Sequence, residues 1–133
     1  MAASARQLHL SIPDSLYMAI EEVAHRSDRD PAVVTEELLT EALKMRRIVG
    51  IVFADGPTGR RARIAGSGLD LFEIIDGYIA EGKNWTLFRA WFPWLTEEQL
   101  HAAVAYYEAY PDEIDARLAA GTEPSPTNVA SAS

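Results

Sequence analysis

The stretch "RQLHLSIPDSL", residues 6–16, decides how the first third of the chain folds. Leu8, Leu10 and Ile12 alternate with Gln7, His9 and Ser11, the period of a strand with one buried face. Pro13 and Asp14 end that strand at once, and the residues after them follow a helical period. A lone strand leaves backbone N–H and C=O groups unpaired along both edges, so this one needs a partner.

The residues beyond it narrow the choice of partner. "PDSLYMAIEEVAHRS" reads as a helix capped by Asp14, with Leu16, Ile20, Val23 and Ala24 on one face. In "SDRDPAVV", Asp30 is a good N-cap and Pro31 a good first helical residue. The helix that follows places Val34, Leu38, Leu39, Ala42 and Leu43 at apolar positions, with Lys44, Arg46 and Arg47 late, as the helix dipole favours. A strand and two helices in about 40 residues cannot enclose a core alone. Either the strand pairs with its copy in a second chain, or it joins a hairpin expected at 48–65 as a third strand. The first arrangement makes a two-stranded ribbon on a four-helix dimer core. It buries Leu8, Leu10 and Ile12 and projects Gln7, His9 and Ser11 outward twice, in a shape that fits the DNA major groove.

The pattern from residue 6 to residue 47 resembles the ribbon-helix-helix family: alternating strand, Pro-Asp step, amphipathic helix, polar break, and an "EELLTEAL" helix. The resemblance implies that the strand reads bases through Gln7, His9 and Ser11, with Arg6 close by. It also implies that backbone amides at the start of the second helix, around Pro31, Ala32 and Val33, clamp a phosphate. The chain departs from the family in having few basic residues on the strand face.

Charge separates the halves. The whole chain carries −8, and residues 69–120 hold three basic against ten acidic side chains, a net of −7. Residues 48–68 hold three basic and one acidic. A surface for a polyanion therefore belongs in the first half, and the second half needs another role.

That second half opens with two β-rich runs, 48–53 and 60–65, around the turn-forming cluster "ADGPTG". Helical patterns follow in "LDLFEIIDGYIAEG", with Gly82 as its C-cap, in "WTLFRAWF", and in "LTEEQLHAAVAYYEAY", where Thr96 and Gln99 can form a capping box. A further short helix is expected after Pro111, and residues 121–133 read as a disordered tail. Trp85, Trp91 and Trp94 with Tyr107 are more aromatic surface than a small helical core hides. With Glu97 and Glu98 beside them, they suit a partner protein with a basic surface. Arg60, Arg61 and Arg63 sit on the hairpin like a wing, placed either to touch phosphate or to pair with the acidic helices behind them.

Residues 49–115 resemble a bacterial family known as domain of unknown function 433, through "DGPTGRRARIAG", "DLFEIIDGYIAEG" and "FPWLTEEQLHAAVAYY". The resemblance implies a hairpin followed by a helix-turn-helix-like unit. It further implies a VapB-like antitoxin whose toxin is a PIN-like ribonuclease.

Nothing points to catalysis. The chain has no cysteine, and His9, His25 and His101 lie at no metal-ligand spacing. "AHRSDRD" reads as a capping cluster, "PDEID" lacks a second carboxylate cluster, and "AGSGLD" lacks the lysine of a phosphate loop. No metal or cofactor is expected.

The chain is thus expected to be mainly α with short β, in three segments: 1–47, 48–120 and 121–133. It is expected to act as a cytoplasmic homodimer through residues 6–47, with operator DNA and a toxin protein as partners, away from membranes. The alternatives are a stand-alone transcriptional regulator and a dimeric protein-interaction module without DNA binding.

Overall fold

The computed structural model describes residues 5–56 and 59–122, and is mostly helical with one antiparallel hairpin. Its order is α1 (Asp14–Ser27), α2 (Pro31–Arg47), β1 (Ile51–Gly56), β2 (Gly59–Ile64), α3 (Leu71–Ala80), α4 (Trp85–Trp91), α5 (Glu97–Ala109) and α6 (Pro111–Thr122). The chain divides into two compact units, Met1–Ala42 and Leu43–Ser133. The change of unit falls inside α2, five residues before the helix ends at Arg47.

In the first unit both expected helices form. The cap of α1 falls one residue earlier than expected, at Pro13 rather than Asp14, because Leu16 and Tyr17 donate to the Pro13 carbonyl at 3.0 and 3.1 Å. Pro13 is therefore the N-cap, and Asp14 is a first-turn carboxylate that favours the helix dipole without capping it. At the other end Asp28 adopts the left-handed conformation at φ 53, and the Arg29 amide reaches back to the Ala24 carbonyl at 3.0 Å. Asp30 Oδ1 accepts from the Ala32 amide at 2.8 Å, as expected of that cap. Arg29 grips Glu37 with two bonds of 3.1 and 2.9 Å, fixing the turn to α2.

Residues 5–13 form no strand, and Leu8 and Leu10 are 80% and 73% exposed. The strand expected at 6–12 is thus not formed within one chain, since a strand exists only by pairing and the described sheet contains β1 and β2 alone. A third strand added to the hairpin is not what this sheet shows.

The second unit holds the core. The hairpin registers Ile51 against Ile64 and Phe53 against Ala62, so these residues face inward while Arg61 and Arg63 face the other way. The strands are shifted from the expected 48–53 and 60–65, because Gly50 turns the chain out of α2 at φ 98 and the ladder runs on to Gly56 and Gly59. Pro57 and Thr58, the middle of the expected turn, lie outside the described residues.

Helix α3 buries Leu71, Ile74 and Ile75, and α5 buries Leu100, Ala103 and Tyr106 at helical steps. Phe88 of α4 completes this cluster, edge-on to Tyr78 at 4.9 Å and to Trp85 at 5.6 Å. Glu81 caps the end of α3, and Gly82 follows at φ 63 rather than being the cap itself.

The capping box of α5 forms as expected: Gln99 donates its amide to Thr96 Oγ1 at 3.0 Å, and the Thr96 amide donates to Gln99 Oε1 at 2.8 Å. Thr96→Ala is expected to cost about 1 kcal/mol, read as a lower urea midpoint with an unchanged slope. Helix α6 continues to Thr122, two residues into the segment expected to be a tail. The rest of that segment lies outside the described residues.

Candidate nucleic-acid and partner interfaces

The candidate DNA-reading residues of the first unit are all open to solvent. Arg6, Gln7, His9 and Ser11 are exposed within residues 5–13, and so are Pro31, Ala32 and Val33 at the start of α2. The Asp30 carboxylate already occupies the Ala32 amide, Pro31 has no N–H, and the Val34 amide bonds the Asp30 carbonyl at 3.1 Å. An incoming phosphate at this helix end therefore meets a negative charge that competes for the same donors. The donors that the family resemblance assigns to a backbone clamp are thus already engaged or lacking at Pro31, Ala32 and Val34.

The hairpin arginines are engaged with acidic side chains. Asp70 follows the turn at residues 65–68, where Ser67 Oγ donates to the Ile64 carbonyl at 2.8 Å and accepts from the Leu69 amide at 3.0 Å. That turn lays Asp70 antiparallel beside Arg63. Arg61 Nη1 donates to Asp70 Oδ2, and Arg63 Nε donates to Asp70 Oδ1 at 2.7 Å. Burial pushes the Asp70 carboxyl up, but the hydrogen bonds and positive charge of the two arginines outweigh it and hold the group below the usual carboxylate range. Arg60 pairs with the exposed Asp55 at 3.3 Å, and Arg117 of α6 donates to the Arg60 carbonyl at 2.7 Å. Arg61 and Arg63 thus pair with the acidic cap of α3 behind them, whereas Arg60 pairs within the hairpin.

A second polar junction ties the C-terminal turn of α2 to α6. Lys44 Nζ reaches Glu113 Oε1 at 2.6 Å, and the Tyr106 hydroxyl donates to both Glu113 oxygens at 2.8 and 2.9 Å. Lys44 also lies 4.8 Å from the Tyr110 ring centroid. In the sequence Glu113 was visible only as one carboxylate of "PDEID", because its partner Lys44 lies 69 positions away.

The six residues expected to bind a partner divide by exposure. Trp85 is half-buried and stacked on His101, with ring centroids 4.4 Å apart, and it lines a shallow groove with Thr86, Arg89 and Pro93. Tyr107 is half-buried, and its hydroxyl donates to Asp115 at 2.8 Å, which raises its pKa above the usual tyrosine value. Glu97 is engaged by Arg89 at 2.5 Å and by His101 at 3.6 Å, whereas Glu98 is exposed. Trp91 and Trp94 are 58% and 65% exposed and carry the open aromatic surface.

Among the described residues no helix is long and apolar enough to cross a membrane, and no group of His, Cys, Asp and Glu is arranged to hold a metal ion. Comparison of the chain with protein-family models, with curated proteins and with solved structures gave no match.

Proposed function

We propose that the protein is a homodimeric DNA-binding autorepressor of the antitoxin kind. Its first unit reads operator DNA, and its second unit holds a basic protein partner, a PIN-like ribonuclease toxin. The observation that carries this reading is the apolar surface left open on the first unit. Between residues 5 and 42 the buried side chains are Ala24, Val34 and Glu41, while Leu8, Leu10, Leu16, Leu38 and Leu39 are exposed. A soluble chain seldom leaves that much aliphatic surface in water, and a second copy supplies both the missing strand and the missing helix faces.

Pairing residues 6–12 with the same residues of a second chain turns Leu8, Leu10 and Ile12 into the core of a ribbon. Gln7, His9 and Ser11 then form its polar outer face, and each can exchange hydrogen bonds with base edges. The net −7 of residues 69–120 opposes a DNA role for that stretch and suits a cationic protein instead.

The test is binding of the purified chain to the DNA upstream of its own gene, across a salt series, against unrelated DNA. Specific binding that weakens as salt rises is expected. Changing Gln7 and His9 together to Ala is expected to abolish the preference for the operator while the dimer remains. An unchanged gel shift with that double variant removes the reading of the ribbon, and absence of any DNA binding leaves the dimeric interaction module.

A further inference from the structure

We infer that Trp91 and Trp94, with Leu87, form the docking surface for an arginine- or lysine-bearing helical segment of a second protein. This deepens the reading that the second unit holds a basic partner, and rests on it. Leu87 and Trp91 are four positions apart on α4 and so share one face of that helix. Trp94 lies three residues further on, its Cα within about 11 Å of that of Trp91. All three are exposed, unlike Phe88 of the same helix, which is wholly buried.

The surface is built rather than loose. The Trp91 indole N–H donates to Glu81 Oε1 at 2.6 Å, which fixes the ring beside a carboxylate. Trp94 rests edge-on against Phe92 at 5.8 Å, and Phe92 in turn meets Phe88 at 5.7 Å, so the outer ring is braced by the core. Gly77 of α3 lets Phe92 approach closely, since a Cβ there would lie 3.0 Å from the ring.

Charge chooses the occupant. The charged group held against this surface is the Glu81 carboxylate at the Trp91 ring, so a second copy would set carboxylate beside carboxylate, and like charges repel. A cationic segment is attracted, and a guanidinium or ammonium gains further from lying over an indole face. The Glu81 carboxylate can accept more hydrogen bonds than the one it takes from Trp91, so it can also hold such a cation at the ring edge. Apolar side chains between the basic ones find Leu87 and the ring faces. An amphipathic segment with alternating leucine and arginine faces therefore fits, and an acidic or wholly polar one does not.

The chain has three tryptophans, so its indole N–H groups give three resonances, assignable by single Trp→Phe changes. The probe is a helix-forming dodecapeptide of leucine and arginine, compared with the same peptide carrying glutamate for arginine. The arginine peptide is expected to shift the Trp91 and Trp94 resonances and leave that of Trp85, which is stacked on His101. Trp91→Ala with Trp94→Ala is expected to weaken peptide binding at least tenfold, with the circular dichroism spectrum and melting temperature close to wild type. Binding of the arginine peptide that spares both resonances overturns the location while the basic-partner reading stands. Failure of the arginine peptide to bind at all overturns the basic-partner reading itself. Resonances that move with protein concentration alone, and cease to do so in the double variant, identify a second copy as the occupant and overturn the proposal.

Discussion

On the proposed dimeric ribbon, a chain carrying Leu8→Asp and Leu10→Asp is expected to lose its dimer outright. Sedimentation equilibrium should return the monomer mass at concentrations where the parent chain is dimeric. The helical circular dichroism signal should also fall, because α1 and α2 lose the partner faces that cover them. The size of the effect follows from burial. Removing one leucine side chain from water is worth about 2 kcal/mol, and the proposed ribbon would bury four of these, so the loss is on the order of 8 kcal/mol. Placing four carboxylates on the ribbon's inner face adds desolvation and mutual repulsion.

The same double change also discriminates between readings. Leu8 and Leu10 are 80% and 73% exposed in a single chain, so in a monomeric protein replacing them by aspartate removes almost no packing. Surface changes of that kind stay within about 0.5 kcal/mol. An unaltered mass and spectrum would therefore remove the dimeric ribbon, and with it the DNA-reading face. Equivalent changes at Gln7 and Ser11, which face outward in the ribbon, should leave the dimer intact.

Local chemistry made much of this architecture legible. Pro31 behind Asp30, and Thr96 three residues ahead of Gln99, each satisfy a helix end by contacts within a single turn, so reading neighbours sufficed. The inward set of the hairpin was legible for the same reason, since alternation fixes which side of a strand a residue faces. The strand at 6–12 is a different case: its alternation is in the sequence, but a strand is a relation between two segments, and the described chain contains only one of them.

What escaped the sequence depends on turns and on distance. Arg61 and Arg63 sit two apart on one strand face, and Asp70 stands at the start of a helix, so all three were visible as residues. Their meeting depends on the turn at 65–68, with Gly66 and Gly68 at φ 79 and 71, which no residue count predicts. Asn84 was missed as the cap of α4, though its side chain accepts from the Leu87 amide at 3.0 Å. The tryptophans show the limit most plainly: Trp85, Trp91 and Trp94 look alike in sequence, and only packing against α3 and α5 separates the one stacked on His101 from the two left open.

Asp70→Asn is expected to be the most damaging single change in the second unit. It keeps the shape and removes the charge that Arg61 and Arg63 share. The Asp70 side chain is only 6% exposed, so the pairing is buried on the acid side, while the arginines are 16% and 33% exposed. Removing the buried carboxylate from a pair of this kind costs about 3 kcal/mol. For a unit of this size that lowers the melting temperature by roughly 12–24 °C. Asp55→Asn is the control, since Asp55 is 90% exposed opposite Arg60 and its loss should stay below about 1 kcal/mol.

Acid gives an independent check. The folded Asp70 pKa lies below its unfolded value of about 3.9. Its contribution is therefore fully present above that value and is lost as pH falls through the folded pKa. The melting-temperature gap between parent and Asp70→Asn should thus be wide at pH 7 and close as the pH is taken below about 4. A gap of a few degrees at neutral pH, or one that persists unchanged into acid, would show that the arginines are held by other groups. The same variant separates structure from recognition: if Arg61 and Arg63 serve the fold alone, removing the Asp70 charge leaves operator affinity where it was. If they reach phosphate, releasing two cations from Asp70 tightens DNA binding and steepens its salt dependence even as the unit melts earlier.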